Sequence, residues 1–213
     1  HWLGTEHSKK FVLDCILYTK SSPKWNTGDN YTPIPMYGEA WLGSISPLVT
    51  VPVVSLQRMV ARIDVVNTAS NFTLNSVSQV GYYQTSRISP PYDAYGNIIW
   101  NNDIPEVYGN STGWNDRNVY ATTTNSIVGD IYSFEARAKQ MFLIVEGTIG
   151  SDPAPQYYRV DFTVPQGSAP SKIEYLHVRR NPKYIFTITN VAGGGYSTPQ
   201  EPMTSPTVVS NPE

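Results

Sequence analysis

The chain has 213 residues, 40% of them hydrophobic, so it is long enough to bury the core of one large or two small domains. The formal net charge is −2 and charged residues make up only 15%, without a basic stripe, which argues against binding to nucleic acid. Tyr, Pro and Gly are plentiful, a balance typical of extracellular β-proteins. The single cysteine excludes an internal disulfide.

The first part of the chain predicts strands separated by turn-forming residues. Alternating or continuous apolar runs indicate strands at Phe11–Thr19, Val49–Val54, the second half of Ser55–Val66, and Asn71–Tyr83. The first half of Ser55–Val66 also fits a helical stripe. Cys15 is expected to be a buried core thiol, and Pro52 places its strand at an edge or a bend. In the last of these strands we expect Val77 and Val80 to point inward.

A long segment rich in Pro, Gly, Asn and Ser follows, from Thr85 to Asn125, and reads as a loop that contains a domain boundary. We therefore predict two domains. Residues 1–118 form an N-terminal β-sandwich that lacks its first strands, and residues 119–213 form a C-terminal β-sandwich with a short Pro/Ser-rich tail. In the second domain, strands resume at Val128–Glu135 and at Met141–Thr148.

The region after Tyr157 shows the clearest strand pattern in the chain. Every second residue is apolar at Tyr158, Val160, Phe162 and Val164, and again at Tyr184, Phe186 and Ile188. The turn Arg180-Asn181-Pro182 separates the two runs, which suggests two strands of one sheet. The three glycines Gly193–Gly195 predict a chain reversal with positive φ.

Residues that carry catalytic chemistry do not form a recognisable pattern. The three histidines, His1, His7 and His177, are not spaced as metal ligands or as part of a Ser-His-Asp triad. The glycines Gly193–Gly195 do not open a helix that could bind phosphate. We therefore predict a protein that is not an enzyme, with no catalytic residues, no cofactor and no metal.

Four tryptophans lie in or beside predicted loops: Trp25, Trp41, Trp100 and Trp114. An aromatic side chain on a loop can stack on a sugar ring, or it can close the end of a sandwich as a plug. The plug is the commoner outcome. Trp100 and Trp114 are the candidate ligand-facing aromatics.

Several segments resemble one family of surface proteins. These segments are Pro35-Met36-Tyr37-Gly38, Leu56–Ile63, Ile131–Glu135, Tyr157–Val160, Arg180-Asn181-Pro182-Lys183-Tyr184, and the Gly-x-Gly-Tyr that ends at Tyr196. In their order they resemble the fimbrillin family of Bacteroidetes, whose members are subunits of type V pili. The resemblance covers residues 10–202.

The resemblance implies an all-β protein made of two tandem transthyretin-like, Greek-key β-sandwich domains. It implies export as a lipoprotein precursor, so that the membrane is contacted only through the precursor's lipid anchor, and a location in a fimbrium at the Gram-negative outer membrane. The expected partners are other fimbrial subunits, linked by strand donation, and host or microbial surface glycans or proteins. The expected role is a structural or adhesive subunit at the shaft, the tip or an accessory position. The alternative is a carbohydrate-binding surface module that uses loop tryptophans.

Overall fold

A computed structural model describes residues 8–20, 24–25, 33–43, 50, 52–100, 103–113, 115–165 and 173–204. Within these ranges the chain forms two short helices and fourteen strands. In chain order they are α1 (Lys9–Cys15), β1 (Leu17–Thr19), β2 (Met36–Tyr37), β3 (Gln57–Arg58), β4 (Ala61–Asn67), β5 (Phe72–Val80), β6 (Tyr83–Arg87), β7 (Tyr108–Ser111), β8 (Asn118–Ala121), β9 (Ser126–Ser133), β10 (Phe142–Ile149), β11 (Gln156–Asp161), β12 (Thr163–Pro165), β13 (Ile173–Tyr175), β14 (Lys183–Ile188) and α2 (Glu201–Thr204).

Two larger sheets carry the core. One has four antiparallel strands in the order β11-β10-β5-β8. The other has three strands in the order β14-β4-β9, with β14 parallel and β9 antiparallel to β4. A sheet of three shorter strands, in the order β1-β6-β7, and two two-stranded ribbons, β12-β13 and β2-β3, accompany them. The described residues are thus mostly β, arranged in several small sheets.

The side chains between the two larger sheets form one hydrophobic cluster. Ile63 on β4 and Ile131 on β9 come from the three-stranded sheet, and Leu74 on β5 and Leu143 on β10 come from the four-stranded sheet. Strand alternation explains this arrangement, because every second residue of each strand faces the opposite sheet. The core therefore lies between sheets whose strands come from both halves of the chain.

The strand pairing joins residues on both sides of the expected boundary at residue 118. β5 lies between β8 and β10, and β4 lies between β9 and β14, so each early strand has later strands on both sides. The tandem division was expected because the segment from Thr85 to Asn125 is rich in turn formers. Loop composition reports where the backbone turns, but it carries no information about which strands pair across the loop.

A bulge in β5 changes which of its residues face the core. Glu146 and Gly147 are adjacent on β10 but pair with Ser76 and Leu74, so Asn75 is the extra residue. The bulge allows Leu74 and Val77 both to face the core, although they are three residues apart. Val80 has the opposite phase and lies on the outer face of the sheet, contrary to the expectation that it points inward.

The outer face around Val80 is covered by the C-terminal helix α2. Met203 packs there with Phe142 and Ile144, which are fully buried as a result. The Arg159 guanidinium lies 3.8 Å from the centre of the Phe142 ring, and its Nη1 donates to the Met203 carbonyl. These contacts hold α2 against the sheet.

The segment Phe11–Thr19 forms a helix and a short strand instead of one buried strand. The Ser8 hydroxyl accepts a hydrogen bond from the Phe11 N–H, which caps α1, and Lys10 pairs with Asp14 one turn later. Leu13 is the buried residue of this helix. Cys15 is exposed, so the expectation of a buried core thiol is wrong.

Other predicted segments also differ from the structure. The predicted strand Val49–Val54 lies partly outside the described residues, and its described residues 52–54 are not in a strand. The expected loop between Thr85 and Asn125 contains β7 and β8, whose runs of four residues are too short and too polar to stand out. The prediction of a strand in the second half of Ser55–Val66 is confirmed by β4.

The two alternating runs near the C-terminus belong to different sheets, not to one. β11 pairs with β10, whereas β14 pairs with β4. Phe162 connects them across the core, with its ring centre 5.3 Å from that of Tyr184 and 5.0 Å from that of Phe186 in edge-to-face geometry. Alternation identifies a strand and its dry face, but it does not identify the neighbouring strand.

The glycines Gly193–Gly195 do not have the positive φ that was expected of them. Gly195 is required for a different reason: a Cβ atom there would lie 2.7 Å from the Tyr157 carbonyl oxygen. Tyr196 exchanges two backbone hydrogen bonds of 3.0 Å with Tyr157 at the edge of β11. Close backbone approach, not turn geometry, explains the glycine at this position.

Candidate functional site

Strand β14 lies at the edge of the three-stranded sheet. The carbonyl groups of Pro182 and Ile188 accept hydrogen bonds from the N–H groups of Arg62 and Thr68, on the β4 side. Backbone groups alternate between the two sides of a strand, so those of Lys183, Ile185 and Thr187 face away from β4. Among the described residues no strand pairs with that side. β14 therefore presents a row of backbone donors and acceptors at an open edge.

The core beneath β14 is less completely covered than the core beneath the opposite edge of the same sheet. The inward side chains of β14, at Tyr184, Phe186 and Ile188, are only half-buried. On β9, which is also an edge strand, Ile127 and Ile131 are fully buried. An edge position alone does not account for this difference. In the part of the chain that the structure describes, the flank of the sandwich beside β14 is therefore open.

The turn Arg180-Asn181-Pro182 positions the start of β14. Asn181 has φ of 72°, and its N–H donates to the Val60 carbonyl at 2.9 Å. Asn is one of the few non-glycine residues that adopt this left-handed conformation at small cost. The Tyr184 hydroxyl then donates to the His177 carbonyl and accepts from the Arg179 N–H, both at 3.0 Å. The turn is thus held from both ends.

A buried ion pair lies under this turn. The Arg180 guanidinium donates from Nε and Nη2 to Glu135 Oε2, at 2.9 and 2.6 Å. It also donates to the backbone carbonyls of Ile88 and Arg87, at 3.0 and 3.1 Å. Both charged side chains are almost completely buried. Because the guanidinium and the carboxylate are so fully hydrogen-bonded, the pair forms a rigid polar floor.

A surface cleft of about 170 Å³ lies above this floor. Its walls are made by Gln57, Pro90, Pro91, Ile99, Trp100, Glu135, Arg179, Arg180, Asn181 and Pro182. Four of the segments singled out in the sequence meet around it: Arg180–Pro182 and Glu135 line it, Gln57 from Leu56–Ile63 lines it, and Tyr37 pairs with Gln57 in the β2-β3 ribbon.

Trp100 is the candidate aromatic that the structure places in a cleft. Its side chain is 39% exposed, and its ring centre lies 6.4 Å from that of Tyr37. Burial and the hydrogen bond to Glu39 raise the pKa of the Tyr37 hydroxyl, which keeps it protonated. Trp114, the other candidate, lies outside the described residues.

The two remaining loop tryptophans have opposite environments. Trp25 is buried, with its ring stacked on Tyr18 at 5.7 Å and edge-on to Phe134 at 6.0 Å, as a plug would be. The Lys20 amine lies 4.7 Å from the centre of the Trp25 ring, and burial lowers the pKa of this amine to about 7. Trp41 is 84% exposed and does not line the cleft.

Sequence reasoning missed Gln57 as a candidate binding residue. Its Nε2 donates to the Trp100 carbonyl at 3.2 Å, while its buried Oε1 has no hydrogen-bond partner in the described parts of the chain. The sequence signal was present, since Gln57 lies in a segment that carried the family resemblance. Its role depends on the β2-β3 pairing, which no local pattern indicated.

In the described ranges, His, Cys, Asp and Glu side chains do not cluster in threes as a metal site requires. His177 has a structural contact, because its Nδ1 accepts a hydrogen bond from the Ala138 N–H at 3.1 Å. His1 and His7 lie outside the described residues. No helix of the described chain is long and apolar enough to cross a membrane.

Comparisons with known proteins place the chain only at a distance from others. No protein-family model and no curated protein sequence matches it. Among solved structures, it matches a Parabacteroides distasonis protein described as a "putative cell adhesion protein", with 13% sequence identity and a TM-score of 0.34. The match covers 65% of this chain and 48% of that protein, so the chain spans about half of its length. A likeness at this level assigns neither a family nor a function.

Proposed function

We propose that this protein is a structural or adhesive subunit of a cell-surface fimbria, and that it receives a strand of a neighbouring subunit along β14. The observation that carries the proposal is the open flank at β14. There, no strand of the described residues pairs with the outer backbone groups of β14, and the inward side chains of β14 are only half-buried. A donated strand would form main-chain hydrogen bonds and cover apolar surface at the same time.

The side-chain pattern of β14 suits an extended partner. Tyr184, Phe186 and Ile188 face the core, while Ile185 points outward and is 57% exposed. An exposed apolar residue on an edge strand promotes unwanted association between protein molecules. Such edges are usually protected by charge, by proline or by a covering element. In a filament subunit, the partner strand provides that protection.

The proposal involves no catalytic step, no cofactor and no metal. The low charged fraction and the many Tyr, Pro and Gly residues are consistent with a location outside the cell. The partner is another subunit of the same filament, and the assembled fimbria would present this protein to host or microbial surfaces.

Site-specific crosslinking tests the proposed edge. A photoreactive amino acid replaces Ile185 in cells that make the protein, and the crosslinked products are identified by mass spectrometry. Val128 provides a matched control position, because it is 52% exposed and lies on β9, the opposite edge of the same sheet. We expect a ladder of subunit adducts from position 185 and none from position 128.

Two substitutions separate strand capture from general surface contact. Ile185→Pro removes an N–H that faces the open edge and leaves the pairing with β4 intact, so assembly should be lost while the monomer still folds. Ile185→Val keeps the N–H and should assemble normally. Assembly of the proline variant at the wild-type level would contradict the proposal.

A further inference from the structure

We infer that the cleft beside Trp100 is a binding site for a single pyranose ring of a surface glycan. This activity goes beyond strand capture, because the cleft residues precede β14 and leave its open edge free. The cleft measures about 170 Å³, which is below the roughly 300–1,000 Å³ of sites that enclose drug-sized ligands. A volume of this size suits one small ring, with the remainder of the glycan in solvent.

The walls of the cleft present flat rings. Trp100 forms one side, and Pro90, Pro91 and Pro182 supply further ring surfaces. Pro90 and Pro91 are buried, so their positions are defined by packing. A pyranose has an apolar C–H face that packs on an aromatic ring, and Trp is the largest such ring that a protein can offer.

The cleft also contains polar groups that can serve a ring of hydroxyls. The buried Gln57 Oε1 is an acceptor without a partner in the described chain, and leaving such an atom unpaired costs free energy. A sugar hydroxyl would donate to it once the Gln57 amide turns toward the cleft. At the rim, the Arg179 guanidinium makes an ion pair with Asp103, whose side chain is 92% exposed. A guanidinium has five N–H donors, so Arg179 can donate to a sugar hydroxyl while it stays paired with Asp103.

The floor of the cleft is already organised before any ligand binds. Arg180 and Glu135 hold each other in two short hydrogen bonds, and two backbone carbonyls fix the guanidinium. The two charges compensate each other, so the floor has no excess charge that would select a strongly ionic ligand. At the rim, the charge of Arg179 is compensated by Asp103 in the same way. The geometry therefore points to a neutral sugar, not an acidic one.

Direct binding measurements test this inference on the full chain. The probes are the methyl glycosides of glucose, galactose, mannose and N-acetylglucosamine, with glucuronic acid as the acidic probe and a proline-rich decapeptide as the other ring-stacking probe. We expect at least one neutral glycoside to bind saturably in the millimolar range and to shift tryptophan fluorescence. Binding of the peptide or of the acid alone, or of no probe, would overturn the inference.

Variants locate the binding in the cleft. Trp100→Ala should lower the affinity for the neutral glycoside by about tenfold or more, because it removes the stacking ring. Trp100→Phe keeps a smaller ring and should retain part of the affinity, which separates loss of stacking from loss of folding. Trp41→Ala removes an exposed tryptophan outside the cleft and should bind as the wild type does. If Trp100→Ala and Trp41→Ala lowered the affinity equally, the glycoside would bind outside the cleft.

Discussion

Neighbouring arginines in this chain have very different energetic roles. Arg180 is buried with Glu135, whereas Arg179 lies at the surface with an exposed partner. Removing one member of a buried pair leaves an uncompensated charge in a low-dielectric environment, but solvent compensates for the loss of an exposed pair. The two residues are adjacent and of the same type, so burial alone explains their different contributions to stability.

This difference can be measured by urea unfolding. Arg180→Ala is expected to lower the free energy of unfolding by about 3–5 kcal/mol, because Glu135 would remain buried without its partner. Arg179→Ala is the matched control and should cost less than about 1 kcal/mol. Similar losses for the two variants would show that the Arg180–Glu135 pair is not buried in solution.

Asp64 connects the three strands of the β14-β4-β9 sheet on the outer face of that sheet. It accepts hydrogen bonds from Arg62 on its own strand and from the Gly129 N–H on β9, and it pairs with Lys183 on β14. Burial acts to raise the pKa of this carboxyl, but the hydrogen bonds from Arg62, Gly129 and Lys183 outweigh it, so the pKa lies below its usual value.

The expected consequence is acid sensitivity that depends on Asp64. A carboxyl whose pKa is lower in the folded state contributes stability above its unfolded pKa, near 4, and this stability is lost as the pH falls through the folded value. Asp64→Asn should therefore be less stable than wild type at neutral pH. In thermal melts below pH 4, its melting temperature should fall less steeply with decreasing pH than that of the wild type. Asp103→Asn, which loses an exposed carboxylate, is the control and should follow the wild-type acid curve.

At the level of elements, the bulge between β5 and β10 requires a glycine opposite it. A Cβ atom on Gly147 would collide with the Phe72 ring and with the Thr73 carbonyl oxygen. Phe72 is part of the buried core, and Thr73 belongs to the paired backbone, so neither can move without loss of packing or of hydrogen bonds.

Gly147→Ala is therefore expected to destabilise the protein by about 1–3 kcal/mol, the usual cost of overpacking a well-packed core. Chemical denaturation of the purified variant measures this loss. Gly113→Ala provides the control, because a Cβ atom there would meet nothing within 4 Å and the residue lacks a positive φ. A Gly147→Ala protein as stable as wild type would mean that the bulge can relax.

At the level of the whole molecule, the pairing of early strands with late strands predicts one cooperative unit. β5 and β4, both before residue 118, are flanked on each side by strands that begin at or after it. A sandwich domain made from residues 1–118 would lack the neighbours that satisfy the backbone of these strands and cover their core faces.

We expect a fragment of residues 1–118 not to fold alone, and the full chain to unfold in a single transition that circular dichroism and tryptophan fluorescence report at the same urea concentration. Cooperative unfolding of the isolated fragment, or two separate transitions in the full chain, would support the tandem division that the loop composition suggested.

Much of the local structure could be predicted from residue patterns. Alternation at Tyr158–Val160 and at Tyr184–Ile188 identified strands, as did the apolar run that forms β10. The helix α1 was missed because Phe11 and Val12 suit a strand equally well, and the Ser8 cap that decides the outcome is a weak signal. The short strands β7 and β8 were missed because their stability comes from their neighbours.

The sequence by itself determined the β-rich character and the dry faces of β11 and β14. Only the tertiary structure decided that β11 and β14 belong to different sheets, that Arg180 meets Glu135, and that no described strand pairs with the outer edge of β14. The physical reason is the range of the interactions along the chain. Alternation and turn chemistry act between residues that are close in sequence. Strand pairing and ion-pair burial depend on contacts between distant segments, which the chain forms only when the whole core assembles.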